Sequence, residues 1–223
     1  MGVKDLNIIK LLIKYRYYYL VGIKITLVLS FLSLIIGSTL GSLLSLFKLS
    51  KYRLPKALST IYIEVVRGTP MMVQIALVYF GSYVMIGMDI SGFAAALIAV
   101  SLNSAAYVAE IIRSGIQSID KGQTEASRSL GITQGQTMRY IILPQAVKNI
   151  LPALGNEFVT LIKETSVAST IGVADLMYAS KIVQSNSFQP FNPLIIVAII
   201  YFIFTFSLSQ LIGLLERRLS HND

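Results

Sequence analysis

Five long apolar stretches, separated by short polar segments, organise this chain. They lie near residues 20–47, 57–85, 93–112, 150–171 and 193–215. Each holds the roughly 20 mainly apolar residues that a transmembrane helix needs. Because backbone polar groups in lipid must find their hydrogen bonds within the protein, such stretches form helices that bundle together. The pattern predicts an all-α membrane protein with five transmembrane helices.

Composition agrees with this pattern and narrows the function. The chain is 54% hydrophobic and 13% charged, with a mean hydropathy of +0.68, whereas a soluble domain carries about 25% charged residues. It has no Cys, and its one His, His221, is near the C-terminus. Disulfides and thiol catalysis are excluded, and we predict no enzyme activity, metal site or cofactor. One membrane domain is predicted over residues 19–218, before a tail at 219–223.

The net charge of +8 is distributed in a way that indicates membrane orientation rather than nucleic-acid binding. Cations follow the first span, flank the polar segment after the third span and close the chain. By the positive-inside rule these regions are cytoplasmic, so we expect the N-terminus outside and the C-terminus inside. The cations concerned are Lys48, Lys51, Arg53, Lys56, Arg113, Lys121, Arg128, Arg139, Lys148, Arg217 and Arg218.

The N-terminal segment, residues 1–18, carries four cations that do not fit this orientation. Its apolar residues are spaced like one face of a helix, and tyrosines follow them. We therefore predict an amphipathic helix in the outer membrane interface, with a tyrosine belt leading into the first span. The apolar residues are Leu6, Ile9, Leu12 and Ile13, and the tyrosines are Tyr15, Tyr17, Tyr18 and Tyr19.

A polar segment at about residues 118–146 has the most specific sequence of the chain, reading GQTEASRSLGITQGQTMRYIILPQA from Gly122. Glu125 and the small residues after it favour a short helix that a partner can approach closely. Gly131 is expected to end this helix in the left-handed conformation. Thr133 is expected to cap a second helix, which Pro144 interrupts. The segment is predicted to be a helical hairpin that a partner grips.

This hairpin resembles the cytoplasmic coupling loop of ABC-type import permeases, whose pattern is E-A-A, three residues, Gly, nine residues, Ile, one residue, Leu-Pro. Here Ser127 replaces the second Ala, and the other positions match, namely Glu125, Ala126, Gly131, Ile141, Leu143 and Pro144. The resemblance implies a type I ABC importer permease fold in a bacterial plasma membrane. It implies the following ATPase-coupling residues: Gly122, Glu125, Ala126, Ser127, Leu130 and Gly131.

The resemblance also implies partners. The chain lacks the Gly-Lys dipeptide of a phosphate-binding loop, so ATP and Mg²⁺ are expected on a separate ABC ATPase subunit. A second permease copy or a related chain and an extracytoplasmic amino acid binding protein complete the expected assembly. In the first span, Ser33, Gly37, Gly41 and Ser45 recur every four residues. This strip allows close packing either within the chain or against the second copy.

The second apolar stretch contains Gly68 and Pro70, which are expected to break the helix near its middle. Broken helices present backbone dipoles to a transported substrate. The string EVVRGTPMMVQ also resembles the polar amino acid branch of the ABC permeases. Glu64 and Arg67 are mainly expected to pair and stabilise the kink. The residues predicted to line a substrate site here are Thr69, Pro70, Met71, Met72 and Gln74.

In the third span, Asn103, Ser104 and Tyr107 are predicted to bind the ammonium or carboxylate of an amino acid, or else a neighbouring helix. Glu110 and Arg113, one turn apart, are expected to neutralise each other.

The fourth span carries Glu157 and Glu164, which face nearly the same way because seven residues make almost two helical turns. The surrounding string LIKETSVAS again resembles the polar amino acid permeases. Glu164 is predicted to meet the cationic side chain of arginine, lysine or histidine. The alternative is a salt bridge to another span.

The resemblance thus implies the permease subunit of an ATP-driven importer for polar, mainly basic, amino acids. Glutamine or glutamate is the alternative cargo. An ion-coupled secondary transporter is a more remote alternative, and no inverted repeat supports it. If the chain were a membrane enzyme, Glu157 and Glu164 would be its one candidate acid and base pair.

Overall fold

The computed structural model describes residues 8–220, and within that range the chain is helical without strands. The helices are α1 (Ile8–Lys14), α2 (Arg16–Lys48), α3 (Arg53–Arg67), α4 (Met71–Ile86), α5 (Gly92–Gln117), α6 (Lys121–Ser129), α7 (Gln134–Thr137), α8 (Leu143–Glu164), α9 (Leu176–Ser187) and α10 (Asn192–Ser220). A π-helical turn over Met138–Ile142 joins α7 to α8, and a 3-10 helix over Thr165–Ile171 follows α8. The predicted all-α fold is confirmed.

The predicted spans correspond to helices of unequal character. Within residues 8–220, α2, α5 and α10 are each long and apolar enough to cross a membrane. Helices α3 and α4 pass the same test only as a pair, and they meet at a bend of 104°. Helix α8 and the 3-10 helix cover the predicted fourth span. The described helices therefore offer three spans by length and apolarity, or four with the bent pair, and the fifth stays a prediction.

The small residues of α2 form a close helix–helix contact. Ser33, Gly37, Gly41 and Ser45 are all buried, and α2 packs lengthwise against α5. A Cβ atom added to Gly37 would lie 2.7 Å from the Cβ of Ser104, and one added to Gly41 would lie 2.7 Å from the carbonyl oxygen of Ala105. The strip therefore packs within the chain.

An apolar cluster fastens α1 to the bundle. Leu11 and Tyr19, which are almost fully buried, pack with Leu176, Val183 and Ile196. The predicted apolar face of α1 lies on the other side, since Ile9, Leu12 and Ile13 are exposed. The first seven residues of the predicted interfacial segment and the last three of the tail lie outside the described residues.

The polar hairpin, residues 118–146, has the local structure expected of it. The Asp120 carboxylate accepts a hydrogen bond from the Gly122 amide at 2.6 Å and caps α6. Gly131 has a φ of 81° and ends this helix in the left-handed region. Thr133 caps α7 in a capping box with Gln136. The predicted helix end and second cap are both confirmed.

The predicted interruption at Pro144 is wrong. The chain stays helical through the π turn into α8, and the Leu143 amide donates to the carbonyl of Met138. Hydrogen bonds in a π turn run from residue i to i−5, which shifts the register just before the proline. The missing N–H of Pro144 then falls in the first turn of α8, where a proline is tolerated.

Replacing Gly37 by Ala is expected to lower the stability of the permease by about 1–3 kcal/mol, because the added methyl overpacks the α2–α5 contact. The thermal unfolding midpoint in detergent measures this loss. Gly213→Ala in α10 is the matched control, since no heavy atom outside its own helix lies within 4 Å of the added Cβ. Equal midpoints for the two variants would contradict a tight α2–α5 contact.

Candidate functional site

The bend between α3 and α4 is held by one side chain. Gln74 Nε2 donates hydrogen bonds to the carbonyl of Val66 at 2.7 Å, and to the carbonyl and hydroxyl of Thr69 at 3.0 and 2.8 Å. Pro70 has extended backbone and forms the N-cap of α4. The predicted break at Gly68 and Pro70 is confirmed. Gln74 supplies the donor that the broken helix can no longer offer these carbonyls.

Helix α5 is joined to this bend by a second amide. Asn103 Nδ2 donates to Gln74 Oε1 at 3.1 Å, and Asn103 is buried. Thr69, Gln74 and Asn103, predicted separately in two spans, therefore form one hydrogen-bonded chain.

The Glu157 carboxylate lies where α2, α5 and α8 meet. Ser104 Oγ donates to Glu157 Oε1 at 2.9 Å, and both residues are buried. The same serine contacts the small-residue strip at Gly37. One predicted carboxylate is therefore held by a neutral donor rather than by a cation.

Glu164 ends α8, two turns after Glu157, and is half-buried. Among the residues that the structure describes, no side chain or backbone group forms a hydrogen bond or ion pair with its carboxylate. Lys163, its neighbour in sequence, is exposed. The alternative of a salt bridge from Glu164 to another span is wrong within residues 8–220.

The remaining predicted lining residues are not part of these contacts. Pro70 and Met72 are exposed at the bend, and Met71 is half-buried against an apolar cluster that includes Ile75. Tyr107 lies beneath the guanidinium of Arg67, with 5.3 Å between the guanidinium carbon and the ring centroid.

A cluster of charges lies around Glu110 of α5, one helical turn after Tyr107. Arg113 Nε and Nη2 lie 3.0 and 2.8 Å from Glu110 Oε2, which confirms the predicted pair. Lys48 of α2 forms an ion pair with the same carboxylate. Arg67 Nη1 lies 3.9 Å from it.

The predicted pair of Glu64 with Arg67 is wrong. Glu64 is exposed and has no ion pair in the described part of the chain. Arg67 is the last residue of α3, and at the bend its side chain crosses to Glu110 and Tyr107 of α5.

Two cavities flank α8 and share Asn149 and Ala153 in their linings. The first, of about 420 Å³, lies between α3, α5 and α8 and exposes Arg67 and Tyr107. The second, of about 460 Å³, lies between α8 and the ends of α5 and α10. Glu157 is one turn beyond Ala153 on α8, so the cavities approach the buried carboxylate from the hairpin end of the bundle.

Most of the predicted coupling residues face outward from the hairpin. Gly122, Glu125, Ala126 and Gly131 are exposed, and Leu130 is 80% exposed. Ser127 differs, because its side chain is buried and donates to the carbonyl of Gln123 at 2.6 Å. A partner approaching this surface would meet small residues, one carboxylate and one large apolar side chain.

The chain matches the family model described as binding-protein-dependent transport system inner membrane component over residues 33–221. That is most of its length. The chain belongs to this family. It is therefore a membrane-embedded permease subunit.

Relatives of this permease support the same family. It is 44% identical to the arginine transport system permease protein ArtQ of Bacillus subtilis strain 168, over 92% of this chain and 94% of ArtQ. It is 40% identical to a candidate glutamine transport system permease protein, GlnP, of Rickettsia conorii, over 92% and 94%. A crystal structure of an amino acid ABC transporter with histidines matches with a TM-score of 0.92 and 47% identity, over 96% of this chain and 99% of that one.

Sequence reasoning missed the way this permease surrounds Glu110 with cations. It found Arg113 because the two residues are three apart on one helix. Lys48 is 62 residues away from Glu110, and no local spacing connects them. In the sequence, the one feature that indicates this cluster is that α2 and α3 each end in a cation, Lys48 and Arg67.

Gln74→Leu is expected to destabilise the permease by about 1–3 kcal/mol, because it removes the donor of the Thr69 carbonyl and leaves the Val66 carbonyl only the longer hydrogen bond from the Thr69 hydroxyl, at 3.3 Å. Thermal unfolding in detergent measures the loss. Gln117→Leu is the matched control, since Gln117 is exposed and its hydrogen bond to Arg113 is on the surface. A Gln74 variant as stable as this control would show that the amide does not hold the bend.

Proposed function

We propose that this permease is the membrane-spanning subunit of an ATP-driven importer of polar amino acids, with basic amino acids as its preferred cargo. Family membership supports the transport role. The arginine and glutamine permeases among its relatives support the amino acid class. These relatives are named for amino acids whose side chains differ in charge, so the preference for basic cargo rests on the residues of this chain.

The Glu164 carboxylate, which has no hydrogen bond or ion pair within residues 8–220, is the observation that carries this preference. An ionised carboxylate at membrane depth is costly unless a cation or several donors meet it. Glu157, two turns earlier on the same side of α8, places a second carboxyl group on this face of the helix. A lysine ammonium or arginine guanidinium supplies the missing charge. A neutral amide, as in glutamine, supplies hydrogen bonds but no charge.

The polar chain of Thr69, Gln74 and Asn103, with Ser104 and Tyr107, would bind the other groups of the amino acid. Pro70, Met71 and Met72 would line the route at the bend. Gln74 and Asn103 form a hydrogen bond to each other at 3.1 Å. A substrate therefore exchanges existing hydrogen bonds for its own, which keeps binding weak enough for release.

The hairpin would dock a separate ATPase subunit, which binds ATP and Mg²⁺. Its exposed residues Glu125, Ala126 and Leu130 suit such a contact. The hairpin leaves α5 and enters α8, and Asn149 Nδ2 of α8 donates to Ser118 Oγ, after α5, at 2.9 Å. A push on the hairpin would thus move the two helices that carry Asn103 and Glu157.

In this proposal the hairpin faces the cytoplasm of a bacterial cell, and the N-terminus lies outside. An extracytoplasmic binding protein delivers the amino acid to the opposite face, and a second permease copy or paralogue completes the route. The chain itself does no covalent chemistry. It binds the amino acid differently in two conformations, and ATP turnover shifts the population between them.

Glu164→Gln is expected to weaken arginine binding by about tenfold to a hundredfold, because a charge-assisted contact of about 1.5–3 kcal/mol is lost. Glutamine binding should change little. Calorimetry on the permease assembled with its ATPase measures both, and Glu64→Gln, at an exposed carboxylate outside the lining of both cavities, is the matched control. Unchanged arginine affinity would refute the role of Glu164. Wild-type binding of glutamine without arginine would favour the alternative cargo.

Glu125→Lys and Gly131→Asp are expected to uncouple ATP hydrolysis from uptake while leaving membrane insertion normal. The first reverses a charge on the docking surface, and the second strains a position with a φ of 81°. Lys51→Glu is the control, since it also reverses an exposed charge but lies between α2 and α3, outside the hairpin.

Uptake and substrate-stimulated ATP hydrolysis in proteoliposomes test this coupling. Unchanged substrate stimulation of ATP hydrolysis in both hairpin variants would refute the proposal that the hairpin docks the ATPase. Uptake without ATP that collapses with an ion gradient would instead support a secondary transporter.

A further inference from the structure

The cavity of about 460 Å³ beside α8 opens where α8 and α10 separate at the hairpin end of the bundle. The two helices touch closely at Gly155, where an added Cβ atom would lie 2.8 Å from Cγ1 of Ile212. Pro152, three residues before Gly155, and Glu216, four residues after Ile212, both line the cavity. The helices are therefore antiparallel, and the cavity is the gap between them one turn beyond their contact.

The lining of this cavity contains polar acceptors that the protein does not use. Glu216 is exposed and has no ion pair in the described part of the chain. Gln145 Nε2 donates to the carbonyl of Ile141 at 2.8 Å. Asn149 Nδ2 donates to Ser118 Oγ at 2.9 Å. The oxygens of both amides accept no other hydrogen bond that the structure describes, so one carboxylate and two amide oxygens remain as acceptors for a ligand.

A positive charge lies at the other end of the same lining. Lys148 lines the cavity from α8, four residues before Pro152 and so roughly 6 Å nearer the hairpin. Glu216 lies at about the level of Pro152, one turn beyond the Gly155 contact. A ligand with a carboxylate at one end and a cationic group at the other would therefore meet an opposite charge at both ends.

We propose that this cavity is a second binding site for a basic amino acid, separate from the transport site around Asn103 and Glu164. Lys148 binds its carboxylate, and Glu216 with the amide oxygens of Gln145 and Asn149 binds its cationic groups. The volume lies within the roughly 300–1,000 Å³ of small-molecule sites. A basic amino acid has one carboxylate and two cationic groups, which matches a lining with one cation and several acceptors.

The proposal rests on the proposed function, which places the hairpin end of the bundle in the cytoplasm and brings basic amino acids there. A ligand in this cavity joins α8 to α10 directly beside the hairpin. Because the hairpin continues into α8, this bridge opposes the movement of α8 against α10. A ligand that binds one conformation more tightly shifts the population toward it. Imported amino acid would in this way slow the transport cycle as it accumulates.

A single introduced thiol can report whether the cavity is occupied, because the chain has no cysteine. Leu219→Cys places this thiol in the cavity wall. Its labelling by a maleimide is measured at increasing arginine concentration, on the transporter assembled with its ATPase in nanodiscs. Arginine should protect the thiol, and added Glu216→Gln should raise the half-protecting concentration by about tenfold or more. Glu64→Gln, an exposed carboxylate outside the lining, should leave it unchanged.

Agmatine, which is arginine without its α-carboxylate, tests the orientation of the ligand. Lys148→Gln should weaken protection by arginine about tenfold, because a charge-assisted contact is lost, and leave protection by agmatine unchanged. Arg218→Gln is the matched control, since Arg218 is an exposed cation in the last turn of α10 and outside the lining. An equal loss of protection for both ligands would overturn the assignment of the carboxylate to Lys148.

Glu164→Gln separates the second site from the transport site. In the Leu219→Cys background it should leave the half-protecting concentration of arginine unchanged. Protection that is lost in Glu164→Gln and retained in Glu216→Gln would overturn the second site, because the thiol would then report a conformational change caused at the transport site.

Uptake into proteoliposomes tests the effect on the transport cycle. Vesicles loaded with arginine should show slower initial uptake than unloaded vesicles, and Glu216→Gln should remove this difference. Equal slowing in the wild-type protein and in Glu216→Gln would overturn the effect. Arginine uptake by the wild-type protein without protection of the thiol would refute the second site alone. A transporter that takes up no amino acid would instead refute the proposed function.

Discussion

The contact between α2 and α5 is the constraint on which the site depends. Glycines at 37 and 41 let the two backbones approach so closely that a methyl group does not fit. This approach positions Ser104 beside Gly37, and Ser104 in turn donates to Glu157. Because lipid offers no hydrophobic driving force between helices, such packing must come from shape and from hydrogen bonds. The position of the buried Glu157 carboxylate thus depends on two glycines of α2.

The bend between α3 and α4 shows how the bundle accommodates irregular backbone. A broken helix in a membrane is tolerated where side chains of the protein satisfy its free carbonyls. Gln74 does this for Val66 and Thr69, and Asn103 fixes Gln74 from α5. The same bend directs Arg67 away from its own helix and toward Glu110. The hydrogen bonds of Gln74 to the free carbonyls and the position of Arg67 beside Glu110 therefore both follow from the bend.

The hairpin, which is the proposed docking surface, is connected to this interior by short covalent and hydrogen-bonded links. Its helices are capped at Asp120 and Thr133 and turned at Gly131. The π turn then continues into α8 without a flexible joint. Since α5 ends and α8 begins at the hairpin, the proposed docking there would move the helices that carry Ser104 and Glu157. In the proposed transport cycle, this rigidity is what makes a surface contact act on a buried site.

The sequence by itself determined several features that depend on neighbours within about one helical turn. The apolar stretches, the break at Gly68 and Pro70, the turn at Gly131 and the Glu110–Arg113 pair were all predicted from local spacing. Contacts between residues i and i+3 depend on adjacent residues where the helix is regular, as at Glu110 and Arg113. The Glu64–Arg67 pair has the same spacing but did not form, because Arg67 lies at the bend. The sequence also suggested Asn103, Ser104 and Glu157 as site residues, but not what they touch.

Only the tertiary structure decided the partners of these groups. Ser104 meets Glu157 across 53 residues, and Lys48 meets Glu110 across 62. Arg67 joined Glu110 rather than Glu64, and the helix continued through Pro144 because a π turn preceded it. Helical periodicity tells which side chains share a face, but it does not tell which face of another helix lies opposite. That choice was made by the close packing of α2 on α5 and by the 104° bend.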